Sequence, residues 1–174
     1  MKEKRGQIWV ETVIYTLIAF ALMALVLTFA KPKIEEIQDK EIISQSINVL
    51  KDIDIIIRTI GSTGNQRVID LGISEGTLNI DGVNDQIFFE IESRYTYSEP
   101  GLDIRNGAII IHNEQIGKIN NLNLSTEYTS HDIKFQNTDE LKKINKAPTP
   151  YKLLVSNTGQ NPEGKTIINV DIIS

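Results

Sequence analysis

Nineteen consecutive residues without a formal charge, Thr12 to Ala30, constrain this chain more than any other feature. Leu, Ile, Val, Ala, Phe and Met dominate the run. At about 1.5 Å of helical rise per residue it matches the hydrocarbon core of a bilayer. Lys2, Lys4 and Arg5 precede it against a single Glu3, and Lys31, Pro32 and Lys33 close it. Cations on the N-terminal flank favour keeping that end in the cytoplasm. The segment reads as a membrane-inserting helix whose C-terminal end faces outside.

Three devices share such a pattern. A secretory signal peptide needs a short apolar region and a small-residue cleavage site. Here Thr28-Phe29-Ala30 is a poor version of that site, and the apolar run is longer than usual. A permanent signal anchor is compatible with every residue of the run. The third device needs a special feature at the border, and Glu11 supplies one at the cytoplasmic entrance, fifth in a count that starts at Gln7.

Lys4-Arg5-Gly6 followed by Gln7-Ile8-Trp9-Val10-Glu11 resembles, residue by residue, the type IV pilin superfamily in its archaeal form. Precursors of that family carry a short basic leader ending in glycine, then an apolar helix with glutamate at its fifth mature position. The motif covers about the first 30 residues. The resemblance implies a class III signal peptide, cut between Gly6 and Gln7 by a membrane-embedded prepilin peptidase that reads Lys4, Arg5, Gly6 and Gln7. Cutting there removes all the leader cations and creates a new α-amine on Gln7. A carboxylate in apolar surroundings is costly alone and tolerable when paired. Glu11 would then meet the Gln7 amine of a neighbouring subunit and set axial register during assembly. The plainer alternative leaves Glu11 at headgroup depth, where water wets it.

Beyond Lys33 the apolar positions become periodic. Ile43, Ile47, Leu50, Ile53, Ile57 and Ile60 recur at steps of four, three, three, four and three, which is one face of an α-helix. Lys40, Glu41, Lys51, Asp52 and Arg58 fall off that stripe, while Ile55 and Ile56 broaden it. Pro32 is expected to bend the helix at the membrane exit. Gly61 ends the pattern, so one helix is expected from about Gln7 to Ile60.

After Gly64 the pattern changes to short β-type runs broken by turns. Strands are expected at 67–71, 77–80, 86–97, 108–112, 119–128, 133–136, 151–156 and 166–173. Residues 138–146 read as a short amphipathic helix or an irregular crossover, and 157–164 as a long hairpin loop. The fold class is α+β: a long N-terminal hydrophobic transmembrane or filament-core helix, then an antiparallel β-rich head. Four regions follow: a cytoplasmic basic leader at 1–6, a transmembrane and assembly helix at 7–33, an amphipathic helical stalk at 34–60 and an extracytoplasmic head at 61–174.

Composition narrows the chemistry. There is no cysteine, so disulfides, thiolate metal sites and cysteine nucleophiles are all absent. A net charge of −5 gives no basic footprint for nucleic acid. Isoleucine supplies 30 residues, a β-branched mass suited to buried strands. His112 and His131 lack a serine or cysteine partner in a nucleophile motif, and structural roles explain both. Asp81, Asn84 and Asp85 offer oxygens to a hard cation, but their spacing departs from the calcium-loop pattern and an Asp-Gly turn accounts for them equally. Lys142, Lys143 and Lys146 read as a solvated basic face. Asn123-Leu124-Ser125 is the only acceptor tripeptide for N-glycosylation. No enzyme, cofactor or metal centre emerges.

The expected function is that of a structural filament subunit at the cell surface, processed after Gly6 and assembled through its apolar helix. The partners come from the resemblance: a prepilin peptidase, an assembly ATPase acting through a platform membrane protein, other pilin subunits, and membrane lipid before assembly. The alternative is an uncleaved single-pass anchor that displays a β-domain for surface binding.

Overall fold

Helix α1 runs from Glu3 to Thr59 and continues through Pro32 without interruption. The computed structural model describes residues 3–173, with side chains from Trp9 onward. The expected processing residues Lys4, Arg5, Gly6 and Gln7 lie outside the described side chains. The chain divides into two compact units, one ending at Gln38 and one beginning at Asp39.

The first unit is helix alone. Its apolar side chains are exposed, from Trp9 at 70% to Phe29 at 73%.

The second unit takes helical residues 39–59 together with ten strands. These are β1 (Gln66–Leu71), β2 (Thr77–Asp81), β3 (Gln86–Ser93), β4 (Asp103–Asn106) and β5 (Ile109–Ile116), then β6 (Ile119–Glu127), β7 (His131–Phe135), β8 (Leu141–Asn145), β9 (Tyr151–Gln160) and β10 (Thr166–Ile173). They form a six-stranded sheet, ordered β4-β5-β6-β3-β2-β8, and a four-stranded sheet, ordered β1-β9-β10-β7. Every pairing is antiparallel except β10 with β7. The layout is α+β, a long N-terminal apolar helix followed by antiparallel-rich sheets.

Side chains opposite one another across a sheet share a face. One row of the larger sheet reads Ile104, Ile111, Leu124, Phe89, Leu78, Ile144 from edge to edge. All of these are buried except Ile104 on the edge strand. In the smaller sheet the corresponding row is Arg67, Val155, Val170, Phe135. The helical stripe Ile43, Ile47, Leu50, Ile53, Ile57 and Ile60 joins the buried members of both rows in one core cluster, which leaves out Ile104 and Arg67 at the edges. Ile55 does not broaden the stripe as expected: it is 57% exposed, whereas Ile56 packs against the core.

Three expectations about strands are corrected. Residues 138–146 hold no helix; β8 occupies 141–145 and buries Ile144 opposite Leu78. Residues 157–164 are not one long loop. β9 continues to Gln160 through a shift of register between Ile167 and Ile168, and the turn begins only at Asn161. The third is β4, which had no counterpart among the expected strands.

The two sheets are tied at the β2–β3 turn. Asp85 accepts the Ile133 N–H at 2.9 Å through its carboxylate and the Tyr128 N–H at 2.9 Å through its carbonyl. Gly82 donates to the Glu140 carbonyl at 3.2 Å. A Cβ on Gly82 would lie 2.8 Å from the Ile133 carbonyl oxygen, closer than real Cβ atoms come, so glycine is required for the turn to approach β7.

Candidate membrane-insertion and assembly segment

Within α1 the 18-residue apolar stretch long enough to cross a membrane has no buried residue. Val10, Val13, Ile14, Tyr15, Leu17, Ile18, Phe20 and Leu22 occupy about two thirds of the circumference at 100° per residue, and Met23, Val26 and Leu27 fill the rest. A helix apolar on every side is stable only where lipid or other protein surrounds it. Two hydroxyls of the stretch bond locally: that of Thr16 donates to the Thr12 carbonyl and that of Thr28 to the Ala24 carbonyl, each at 2.8 Å. Such back-bonding lets a hydroxyl sit in lipid without an unmet donor.

Glu11 lies on this helix with an exposed side chain. At the other end, Lys33 pairs with Glu36 at 2.7 Å and Lys31 lies 3.9 Å from Glu35. Charge therefore returns within one turn of Ala30, which sets the limit of the apolar segment. Pro32 has no N–H to offer the Thr28 carbonyl, the one place where the helical ladder misses a rung by chemistry.

The remaining candidate residues fall into structural settings. Asp81 accepts N–H bonds from Val83 at 3.0 Å and Asn84 at 3.2 Å, and its other oxygen takes the side chains of Asn84 at 2.7 Å and Gln86 at 3.2 Å. Burial alone would raise the Asp81 carboxyl, but these four donors outweigh it and hold it below its ordinary value. Asp85 gives its second oxygen to the Lys165 ammonium at 2.6 Å. The oxygens that suggested a cation thus bind the protein's own donors. Among the described residues no group of three or more His, Asp or Glu side chains is placed to hold a metal.

His112 meets Asp103 at 2.6 Å across the β4–β5 pair, with both side chains largely exposed. Asn123 sits mid-strand in β6, between Glu90 and His112, on the face of the sheet opposite the core row. The three lysines of the basic cluster are dispersed: Lys143 lies 3.8 Å from Glu90, Lys146 pairs with Glu75 at 2.8 Å, and Lys142 stands over the Phe135 ring at 5.2 Å.

Two polar constellations escaped the sequence reading. Asp39 accepts the Arg94 N–H at 2.6 Å and lies 3.4 Å from the Ser93 hydroxyl, fixing the end of β3 to the helix. Asp54, one of the few buried carboxylates, pairs with Arg58 at 2.7 Å. The Arg58 guanidinium stands 5.6 Å over the Tyr128 ring, whose edge meets the His131 ring at 6.0 Å. Burial, and then the Asp54 carboxylate, push the Tyr128 hydroxyl far above its usual range. His131 is lowered from 6.5, by burial first and by the Arg58 cation second.

This last shift has a stability consequence with a definite sign. The unfolded chain binds the His131 proton more readily than the folded one, so stability is fully present above about pH 6.5 and declines as pH falls below it. The urea midpoint of the full chain in detergent is expected to drop between about pH 7.5 and 5.5, and His131→Gln should shrink that drop. An unchanged drop in the variant would show that carboxylates alone cause it.

Comparison of the chain with known family models, with curated proteins and with solved structures gave no match.

Proposed function

We propose that this protein is a structural subunit of a type IV pilus-like surface filament, made as a membrane-inserted precursor, processed after Gly6 and assembled through its apolar helix. The observation that carries the reading is the unburied 18-residue apolar stretch of α1 beside a glutamate five residues past Gly6. A surface this large is a hazard in water and useful where lipid, and later equivalent helices, can cover it. The fully packed β-rich unit supports the division of labour: it has its own core and does not need the first unit's side chains to complete it. In this reading Lys4, Arg5, Gly6 and Gln7 form the processing site of a prepilin peptidase. The precursor keeps its N-terminus in the cytoplasm and its β-rich unit outside. An assembly ATPase, working through a platform membrane protein, transfers processed subunits from lipid to the filament.

The test is the N-terminal mass of protein recovered from its native membrane. A mature chain beginning at Gln7 is expected. An intact leader would instead favour a permanently anchored β-domain that serves surface binding. A start at Lys31 would identify a secretory signal and sink both readings.

A further inference from the structure

Asn106 is the one asparagine of the chain that glycine follows. It ends β4, and the two-residue turn Gly107-Ala108 returns the chain to Ile109, its partner in β5. Gly107 takes a positive φ of 68°, which such a turn needs at its first position. A Cβ on Gly107 would meet nothing within 4 Å, and both turn residues are exposed. Among the described residues no backbone carbonyl accepts the Gly107 N–H. β4 is an edge strand of four residues that pairs, among the described residues, with β5 alone, and short edges open at little cost. Asp81-Gly82 offers a comparable pair of residues in the opposite setting. The Gly82 N–H donates to the Glu140 carbonyl, and a Cβ on Gly82 would crowd the Ile133 carbonyl oxygen. The Asp81 carboxylate is taken up by donors from Val83, Asn84 and Gln86.

We propose that Asn106 is a self-modification site, at which the Gly107 backbone nitrogen displaces the side-chain amide and leaves aspartyl and isoaspartyl residues without any enzyme. The nitrogen and Cγ belong to neighbouring residues, so the attack is intramolecular and closes a small, unstrained ring. Glycine has no side chain to obstruct it. Opening of the last β4 pair frees the Asn106 backbone to rotate into the attack geometry. The bond from the Gly107 nitrogen to Cγ forms, the Cγ–Nδ2 bond breaks, and the Gly107 proton leaves with the departing group as ammonia. Water then opens the cyclic imide. Addition at Cγ gives aspartate, and addition at the Asn106 backbone carbonyl gives isoaspartate, whose main chain runs through the former side chain. One water is consumed and one ammonia released. The product matters to the fold because Ile109, directly opposite, is fully buried. A new carboxylate, or a lengthened backbone, loosens the β4–β5 end beside it.

The test follows the full chain in detergent through prolonged incubation in warm, mildly alkaline buffer. Peptide mass spectrometry with fragmentation separates asparagine, aspartate and isoaspartate at each position. Residue 106 is expected to lose its amide several-fold faster than every other asparagine, with isoaspartate among the products. Asn106→Gln keeps an amide but requires a larger ring, and should suppress the loss. An amide at 106 that lasts as long as the others would overturn the assignment. Rapid loss confined to chain unfolded in urea would overturn it too, since the folded hairpin would then protect the residue. Aspartate without isoaspartate would replace backbone attack with plain hydrolysis and sink the mechanism. Isoaspartate as abundant at 81 as at 106 would show that the hydrogen bonds of the β2–β3 turn protect nothing, and would overturn the structural choice between the two sites.

Discussion

Phe89→Ala is expected to cost the β-rich unit about 3–5 kcal/mol, the range for truncating a buried phenylalanine when the cavity collapses only in part. Phe89 is 1% exposed and lies mid-row in the larger sheet, flanked by Leu78 and Leu124, which are fully buried. Typical domains have only about 5–15 kcal/mol of stability in total, so the loss is a large share. The thermal midpoint of the full chain in detergent should fall by roughly 10 °C or more. Ile104→Ala, in the same row but at the exposed edge strand, serves as the comparison and should move the midpoint by much less. Equal effects at the two positions would mean that the row is not graded from centre to edge in the way its burial indicates.

Glu11→Ala carries the second large effect, on assembly and not on folding. The substitution makes the apolar helix more apolar, so a simple anchor would insert at least as well. A filament subunit would instead lose the carboxylate that meets the Gln7 amine of its neighbour. Removing one partner of a desolvated pair leaves the other charge uncompensated and costs about 3–5 kcal/mol. That corresponds to a hundredfold or greater weakening of each junction. Cells producing Glu11→Ala are expected to release protein of the same processed N-terminal mass, and sheared surface material should contain no filaments by electron microscopy. Normal filaments from this variant would remove the register role of Glu11 and leave the headgroup-depth explanation standing.

The helix was legible because its signals are local. A 3.6-residue period places Ile43, Ile47, Leu50, Ile53, Ile57 and Ile60 on one face whatever packs there, and all six are buried. The strands with clear alternation, such as β3 and β6, were legible for the same reason. β8 was not. Leu141 and Ile144 stand three apart among lysines, a spacing that suits a helix turn, and only pairing with β2 turns Ile144 inward while leaving Leu141 47% exposed. β4 is four residues of mixed polarity on an edge, with no period to detect. The end of β9 hides behind Asn157-Thr158-Gly159, which reads as turn chemistry but forms the irregular pairing with β10. The Asp54 cluster left one trace in the sequence, a carboxylate on the apolar side of the helix four residues before Arg58. Its other members, Tyr128 and His131, come from a chain segment some 70 residues away.

The four-stranded sheet also fixes an order of events. β1 is made early, yet among the described residues its only strand partner is β9, with Gln66 opposite Ser156, and β9 in turn leans on β10. Contacts so distant along the chain close late and slow the search for the native state. A ribosome delivering this chain therefore completes the helical stripe and β1 long before the strands that finish their cover exist. During that interval the isoleucines of residues 43–60 face the surroundings, and aggregation competes with folding. Translocation that runs as fast as synthesis would shorten this exposure in the cytoplasm and move it to the compartment where β10 finally arrives. For the exported subunit proposed above, export timing and folding yield would be one variable.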